Sequence, residues 1–183
     1  MEDARDLGDA YSLHAAEVYR VIRAIVGNQA SSEDLTHEAF IKAHQNLHRY
    51  DRSRPIRPWL ITIAVRLALD HLRRERVRHF ITLAAGPREL APSQLRSIDT
   101  RMDIDAALRA LAPKERAVVV ARHYVGMSYR EIGEMLATSP GNAGTLLHRA
   151  HARLRIILAS DEPPSTKTNR LLIAKTEELI DDD

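Results

Sequence analysis

Two clusters of side chains carry the chemistry to meet a phosphate backbone. Arg73, Arg74, Arg76 and Arg78 crowd one stretch with only Glu75 among them, and Arg149, Arg153 and Arg155 share another that contains no acid. Guanidinium groups placed this way neutralise phosphate charge and donate to its oxygens in a fixed fork. Net charge is only +2, so placement rather than total charge carries the signal. Bond-making chemistry has less to work with. The absence of cysteine removes thiolate nucleophiles, thiolate zinc sites and disulfides. The nine histidines include His44 and His48 at i,i+4 and His148 and His151 at i,i+3. His37-Glu38 is not continued by a histidine four positions after the first, however, and no cysteine assists, so no metal site is assigned. A nucleotide-phosphate enzyme would need a glycine-rich loop after a strand, and the sequence offers neither. The chain is read as non-enzymatic, without cofactors.

These side chains must be positioned by helices. Hydrophobic residues make up 44% of the 183 residues, aromatics only 4%, and there are seven glycines, which favours aliphatic helices over a sandwich or barrel. Apolar positions recur at helical spacing from Tyr11 to Val26 and from Ser32 to Leu47, where Leu35, Ala39, Ala43 and Leu47 step by four. Ser31 or Ser32 is the expected cap of the second helix, with Glu33 and Asp34 near the positive end of its dipole. Residues 49–57 are polar and form a loop. Pro58 then opens a helix over residues 59–80 that buries Leu60, Ile63, Ala64 and Leu67 and ends in the arginine cluster. Residues 81–99 include Gly86, Pro87 and Pro92 with no sustained period, and read as a flexible linker whose nineteen residues reach roughly 65 Å when stretched.

A second helical set follows over residues 100–158. Thr100-Arg101-Met102-Asp103 resembles a capping box, Pro113 starts a helix that carries Val118, Ala121 and Val125 up to Gly126, and Ser128-Tyr129-Arg130-Glu131 caps the next. A short helix with Tyr129, Ile132, Gly133 and Leu136 inward, a turn at Ala137-Thr138-Ser139-Pro140 and a longer helix give helix-turn-helix geometry. Ala143, Leu147, Ala150 and Leu154 point one way along the last helix, leaving Asn142, Thr145, His148 and Arg149 outward, where they can reach base edges or phosphates. The fold class is therefore all-α: two small helical domains, residues 11–80 and 100–158, flanked by a tail at 1–10 and an extension at 159–183. In that extension, 161–165 reads as a connector, and Leu171, Leu172, Leu179 and Ile180 form an imperfect apolar stripe. Met1-Glu2-Asp3-Ala4-Arg5-Asp6 is not a secretory signal, and no segment spans a bilayer, so a cytoplasmic location without membrane insertion is expected.

Several strings together resemble the extracytoplasmic-function (ECF) sigma factors, the minimal two-domain class of bacterial sigma subunit. Asp34-Leu35-Thr36-His37-Glu38-Ala39-Phe40 is similar to the family's polymerase-docking helix, and Arg57-Pro58-Trp59-Leu60 with Asp70-His71-Leu72-Arg73-Arg74 resembles its promoter-melting helix. Leu111-Ala112-Pro113-Lys114-Glu115-Arg116, Gly126-Met127-Ser128-Tyr129-Arg130-Glu131-Ile132-Gly133 and Leu147-His148-Arg149-Ala150 resemble the second domain in order and spacing.

The resemblance implies that core RNA polymerase binds at Asp34, Leu35, Glu38, Ala39 and Phe40. It implies that the minus-ten promoter element meets the loop of Arg49, Tyr50, Asp51, Arg52, Ser53 and Arg54 together with Arg66, Asp70, Arg73, Arg74, Arg76 and Arg78. The minus-thirty-five element would be read by Asn142, Thr145, His148 and Arg149, and an anti-sigma factor is the expected regulatory partner. Tyr50 and Trp59 offer stacking surfaces, Trp59 being read first as a core anchor. The chain departs from the family pattern at Gly144, Leu146 and His151, where basic residues are usual, and at Arg66, where the family often has asparagine. A conventional helix-turn-helix regulator is the competing reading; it needs no polymerase-docking domain.

Overall fold

The computed structural model describes the backbone of residues 2–84 and 100–160 and the side chains of residues 8–80 and 104–159. Seven α-helices follow in the described residues: α1 (Glu2–Val26), α2 (Gln29–Gln45), α3 (Ile56–Ala84), α4 (Thr100–Ala110), α5 (Pro113–Val119), α6 (Tyr129–Leu136) and α7 (Pro140–Ser160). A short 3₁₀ turn, Leu47–Arg49, follows α2, and a wider-wound π segment, Val120–Val125, extends α5. The architecture is all-α, as the composition predicts. The C-terminal extension, most of the expected linker and the side chains of the Thr100–Asp103 box lie outside the described residues.

α1, α2 and α3 pack on one another as the first helical set. α1 begins well before the expected Tyr11 and contributes Val18, Val21, Ile22 and Ile25, all 1% exposed or less and spaced three, one and three apart, which is one helical face. α3 answers with Leu60, Ile61, Ala64, Val65, Leu67 and Ala68. It starts at Ile56, so Pro58 falls inside its first turn, where a missing backbone donor breaks no helical hydrogen bond. It also runs to Ala84, four residues into the stretch read as linker.

The cap of α2 differs from expectation. Asn28 is the N-cap, extended at φ −113°, its side chain accepting the Ser31 N–H at 2.9 Å. Gly27, at φ +82°, ends α1 immediately before it, so the first extended residue bearing a side-chain oxygen is Asn28 rather than Ser31 or Ser32. Ser32 is instead fully buried and donates its hydroxyl to the Asn28 carbonyl.

In the second set, Ala112 precedes Pro113 at the start of α5, and the Glu115 carboxylate accepts the Ala112 N–H at 3.2 Å. Gly126 closes the π segment at φ +84°. Ser128 and Glu131 exchange hydrogen bonds across the start of α6: Ser128 N–H donates to Glu131 at 2.7 Å and Glu131 N–H to Ser128 Oγ at 3.3 Å. The turn to α7 uses Ala137 at φ +52°, the Thr138 N–H on the Gly133 carbonyl at 2.8 Å, and Ser139 Oγ accepting the Asn142 N–H at 3.2 Å. Ala143, Leu147 and Ala150 face inward, and Ile132 and Met135 complete the pair of helices. Tyr129 does not point inward: it is 42% exposed and lies under the Arg122 guanidinium, 5.1 Å from ring centroid to Cζ. As the first residue of α6 it has no preceding turn to cover its outer side, so the ring stays partly in solvent.

The core runs without interruption from α1–α3 into α5–α7, so the two sets lie against each other. Three arginines cross the boundary. Arg57 grips Glu17 through two N–H groups, one 2.8 Å from Oε2, and donates a third to the Val125 carbonyl at 3.0 Å. Arg66 donates to the Met135 and Glu134 carbonyls at 2.9 and 2.7 Å. Arg116, 6% exposed, donates to the Ile25 carbonyl of α1 and to the Arg109 and Leu111 carbonyls at 2.7 and 3.2 Å.

Two predictions follow from these contacts. A Cβ on Gly133 would lie 2.8 Å from the Thr138 oxygen and 3.2 Å from the Pro140 nitrogen, both backbone atoms that cannot step aside. Gly133→Ala is expected to destabilise the protein by about 1–3 kcal/mol, read as a fall in Tm by circular dichroism; an unchanged Tm would contradict this packing. His151 Nε2 stands 2.8 Å from His123 Nε2, and burial foremost, then the charges of His123, Arg155 and His148, holds the His151 pKa below its ordinary 6.5. The unfolded chain therefore binds the proton more readily, so stability rises with pH up to about the ordinary value and declines below it. Acidifying from neutrality to below 6.5 should lower Tm, and His151→Gln should remove part of that slope; identical slopes for both proteins would refute the assignment.

Candidate nucleic-acid interface

The basic end of α3 is solvated. Asp70, Arg73, Arg74, Arg76 and Arg78 are all exposed, and the ion pair between Asp70 and Arg73, at 3.4 Å, is loose, with side chains 58% and 78% exposed. Such a pair contributes little to stability and leaves the guanidinium available to a competing phosphate. The four expected recognition residues on α7, Asn142, Thr145, His148 and Arg149, are likewise exposed and share the face opposite Ala143, Leu147 and Ala150. Asn142 donates to Thr138 Oγ1 at 2.9 Å and Thr145 to the Gly141 carbonyl at 3.1 Å, so the first turn of α7 is held in shape before any ligand arrives.

The loop between the 3₁₀ turn and α3 is likewise built. Asp51 accepts the Ser53 N–H at 3.0 Å and the Ser53 hydroxyl at 2.7 Å, which hold its carboxyl below the usual range, and Arg54 lies 3.5 Å away. The Tyr50 hydroxyl donates to the Arg54 carbonyl, and the Tyr50 ring tilts against Trp59 at 5.0 Å between centroids. Asp51 and Ser53 therefore shape the turn, while Arg49, Arg52 and Arg54 stay exposed at its surface. Trp59 is half-buried and packs on the core, in keeping with its reading as an anchor.

The expected polymerase face of α2 divides in two. Leu35, Ala39 and Phe40 are 4%, 2% and 6% exposed and belong to the core, where Phe40 meets the Tyr11 ring edge-on at 4.7 Å. In this structure they hold α2 in place, because the apolar stripe of an amphipathic helix faces its own bundle. The outward face carries Asp34, Glu38, with its 3.2 Å pair to Lys42, and Ile41, 57% exposed and missed by the sequence reading. Asp34 and Glu38 line one groove together with Arg73, Arg74 and Arg78 of α3, so the candidate polymerase and promoter residues adjoin.

Arg66 is placed differently from its neighbours: its guanidinium is turned onto the end of α6. The loop, too, faces the second set. Arg49, Tyr50, Arg54 and Trp59 form one wall of a cleft whose other wall is Met127, Arg130, Glu131 and Glu134. Glu131 stays ionised below the usual carboxyl range because Ser128 hydrogen-bonds it through side chain and backbone. A second cleft sets Asp70, Arg73 and Arg76 opposite Lys114, Ala137 and Leu146. The walls contributed by α6 carried no sequence signal: Glu131 reads as part of a capping box, and nothing in the sequence singles out Glu134. Among the described residues, no group of three histidines or acids is disposed to hold a metal ion.

Known proteins match this arrangement. Residues 10–78 match the family model described as Sigma-70 region 2, and residues 101–154 that described as Sigma-70, region 4. The chain is 36% identical over 156 residues to the ECF RNA polymerase sigma factor SigE of Mycolicibacterium smegmatis, covering 80% of this chain and 59% of that one. It is 32% identical over 158 residues to the RNA polymerase sigma factor CarQ of Myxococcus xanthus, covering 84% and 90%. Among solved structures, the fold is similar to the sigma factor RpoE in complex with the anti-sigma factor NepR from Bartonella quintana, with a TM-score of 0.69 at 22% identity over 86% of this chain and 99% of that chain. It is similar also to CnrH in complex with the cytosolic domain of CnrY, with a TM-score of 0.63 at 22% identity over 87% and 91%. With a region 2 match on α1–α3, a region 4 match on the helix-turn-helix, and relatives a third identical along most of its length, the chain belongs to the ECF sigma factors, which direct RNA polymerase in promoter recognition and transcription initiation.

Proposed function

We propose that the outward face of α2, with Asp34 and Glu38, docks on core RNA polymerase; that the loop 49–54 and the basic end of α3 hold the melted minus-ten element; and that Asn142, Thr145, His148 and Arg149 read the minus-thirty-five element. Residues 11–80 and 100–158 act as the two functional domains. The observation that carries this reading is the exposure of all four α7 residues on one pre-shaped face, in the segment matching region 4. A major groove admits one helix, and side chains on its first turns are the ones that reach base edges. The α3 arginines are spaced for backbone contact, which positions the factor without reading sequence.

The chain makes and breaks no bonds in this account. Its contribution is charge, shape and stacking, and the polymerase supplies the chemistry. Among the described residues, no helix is long and apolar enough to cross a membrane; the proposed place of action is the cytoplasm, on the grounds of the polymerase partner. An anti-sigma factor is the proposed regulatory partner, since RpoE and CnrH are both seen with proteins bound to them, NepR and CnrY.

Run-off transcription with purified core enzyme tests the whole assignment: template-specific transcripts should require both core and this chain. Tight binding to duplex operators without polymerase, and no transcript with it, would establish a conventional regulator instead. Within an active system, Arg149→Ala should weaken minus-thirty-five duplex binding by about 1–3 kcal/mol, roughly five- to 150-fold, in a sequence-dependent way. Arg74→Ala should weaken binding uniformly across sequences and reduce the slope of log affinity against log salt by about one; loss of sequence discrimination instead would overturn its backbone role.

A further inference from the structure

We infer that the groove between α1, α4 and α7 is a docking site for this chain's own C-terminal segment, whose apolar stripe within residues 171–180 fills it. The inference stands apart from the promoter and polymerase assignments.

The groove encloses about 390 Å³ and is lined almost wholly by apolar side chains. Ala107, Val119 and Val120 form its buried floor, while Ile104, Tyr124 and Leu158 stand at its edge, 54%, 46% and 46% exposed. Contiguous apolar surface rimmed by polar groups marks a place where something docks. Residues 161–183 lie outside the described residues, and it is their sequence that fits the site.

The first fit is the tether. α7 runs to Ser160, and its last turns give the groove Leu154 and Leu158. At about 1.5 Å per residue that wall is roughly 6 Å long, whereas residues 161–170 span roughly 33 Å when extended. The segment beyond them can therefore turn back along α7, and the tether holds its local concentration on the order of millimolar. A second copy or a separate protein would bury the same surface without that advantage.

The second fit is the stripe. Leu172, Ile173, Leu179 and Ile180 fall at steps of one, six and one, which with Thr176 between them is the spacing of one helical face. A segment this short holds a helix only by burying that face against something. Charge is the third fit. Glu177, Glu178, Asp181, Asp182 and Asp183 follow the last base, Lys175. The groove is bordered by the opposite sign: Arg20 and His123 line it, and His123 meets His151, which lies in the field of Arg155. An apolar stripe with an acidic flank thus faces an apolar floor with a basic border, and the attraction adds to burial without desolvating the acids fully.

The lack of native cysteine permits a test on the full-length chain. A nitroxide on Ala174→Cys, opposite the stripe, is read through the methyl resonances of isotope-labelled protein. Signals of Ile104, Leu108 and Val120 across the groove should be lost, while that of Ile41 on the outward face of α2 survives. Adding Leu172→Asp and Leu179→Asp leaves the tether intact and should restore the lost signals. Signals that persist with the native stripe, or that are lost equally with the aspartates present, would overturn the inference. Mixing nitroxide-bearing chains without isotope and isotope-labelled chains without nitroxide separates the sources: loss should vanish in the mixture, and loss seen there in full would show the segment serving a second copy instead.

Discussion

The architecture depends on a mismatch at helix ends. The last carbonyls of any α-helix lack an intrahelical donor and carry the negative end of its dipole, so burying such an end requires a donor from elsewhere, preferably a charged one. Here the donors are arginines. Arg116 closes the ends of α1 and α4 together, Arg66 the end of α6, and Arg57 the end of the π segment. Hydrogen bonds to a charged group contribute about 1.5–3 kcal/mol each where solvent is excluded, and less for Arg66, which is largely exposed. Arg116 is the demanding case. Burial foremost, with Arg109 nearby, pushes its pKa down, and its Nε is buried without a partner. Arginine nevertheless keeps its charge, so the carbonyls of Ile25, Arg109 and Leu111 have to serve as its counter-charge.

That device adds polar ties to the apolar core that the two sets of helices share. Glu17 fixes Arg57 from the first set, each holding the other's charged form: the Arg57 guanidinium lowers the Glu17 carboxyl, and Glu17 raises Arg57. Glu115, 6% exposed, plays the matching role in the second set, taking Arg153 at 2.7 Å and so tying α5 to α7. Gly27 completes the junction. At φ +82° it lets α1 end abruptly, and the Arg109 side chain lies across it with Cδ 3.2 Å from where a Cβ would be. Turn chemistry, helix-end chemistry and the meeting of the two sets are thus solved at the same few residues.

Much of this was legible in the chain and some was not, for a definable reason. The helices of the helix-turn-helix were readable because their signals are local: Ser128 with Glu131, Gly126, Ser139 with Pro140, and the inward run of Ala143, Leu147 and Ala150. The α2 cap was misplaced because two serines and an asparagine competed within five residues, and only the break at Gly27 decides among them. Leu35 and Ala39 fall in the core as their four-residue step implies, with Phe40 beside them, so their part in docking is to fix the position of α2. The clasp could not be read at all. Its partners lie 68 to 91 residues apart in sequence, and its acceptors are backbone carbonyls, which every residue carries and no residue type announces. For the same reason Arg66 could be recognised as unusual for its family but not assigned to the contact it makes.

Trp59 is the only tryptophan and is packed in the first set, so its fluorescence reports chiefly the unfolding of that set, whereas far-ultraviolet circular dichroism reports all the helices. Urea unfolding of the native chain, followed by both signals on one sample, tests whether the arginine clasp joins the two sets into one cooperative unit. Superimposable transitions for the native chain that separate in Arg116→Met are the result this account predicts. Two separate transitions in the native chain, or curves that stay superimposed when Arg116 is replaced, would contradict it.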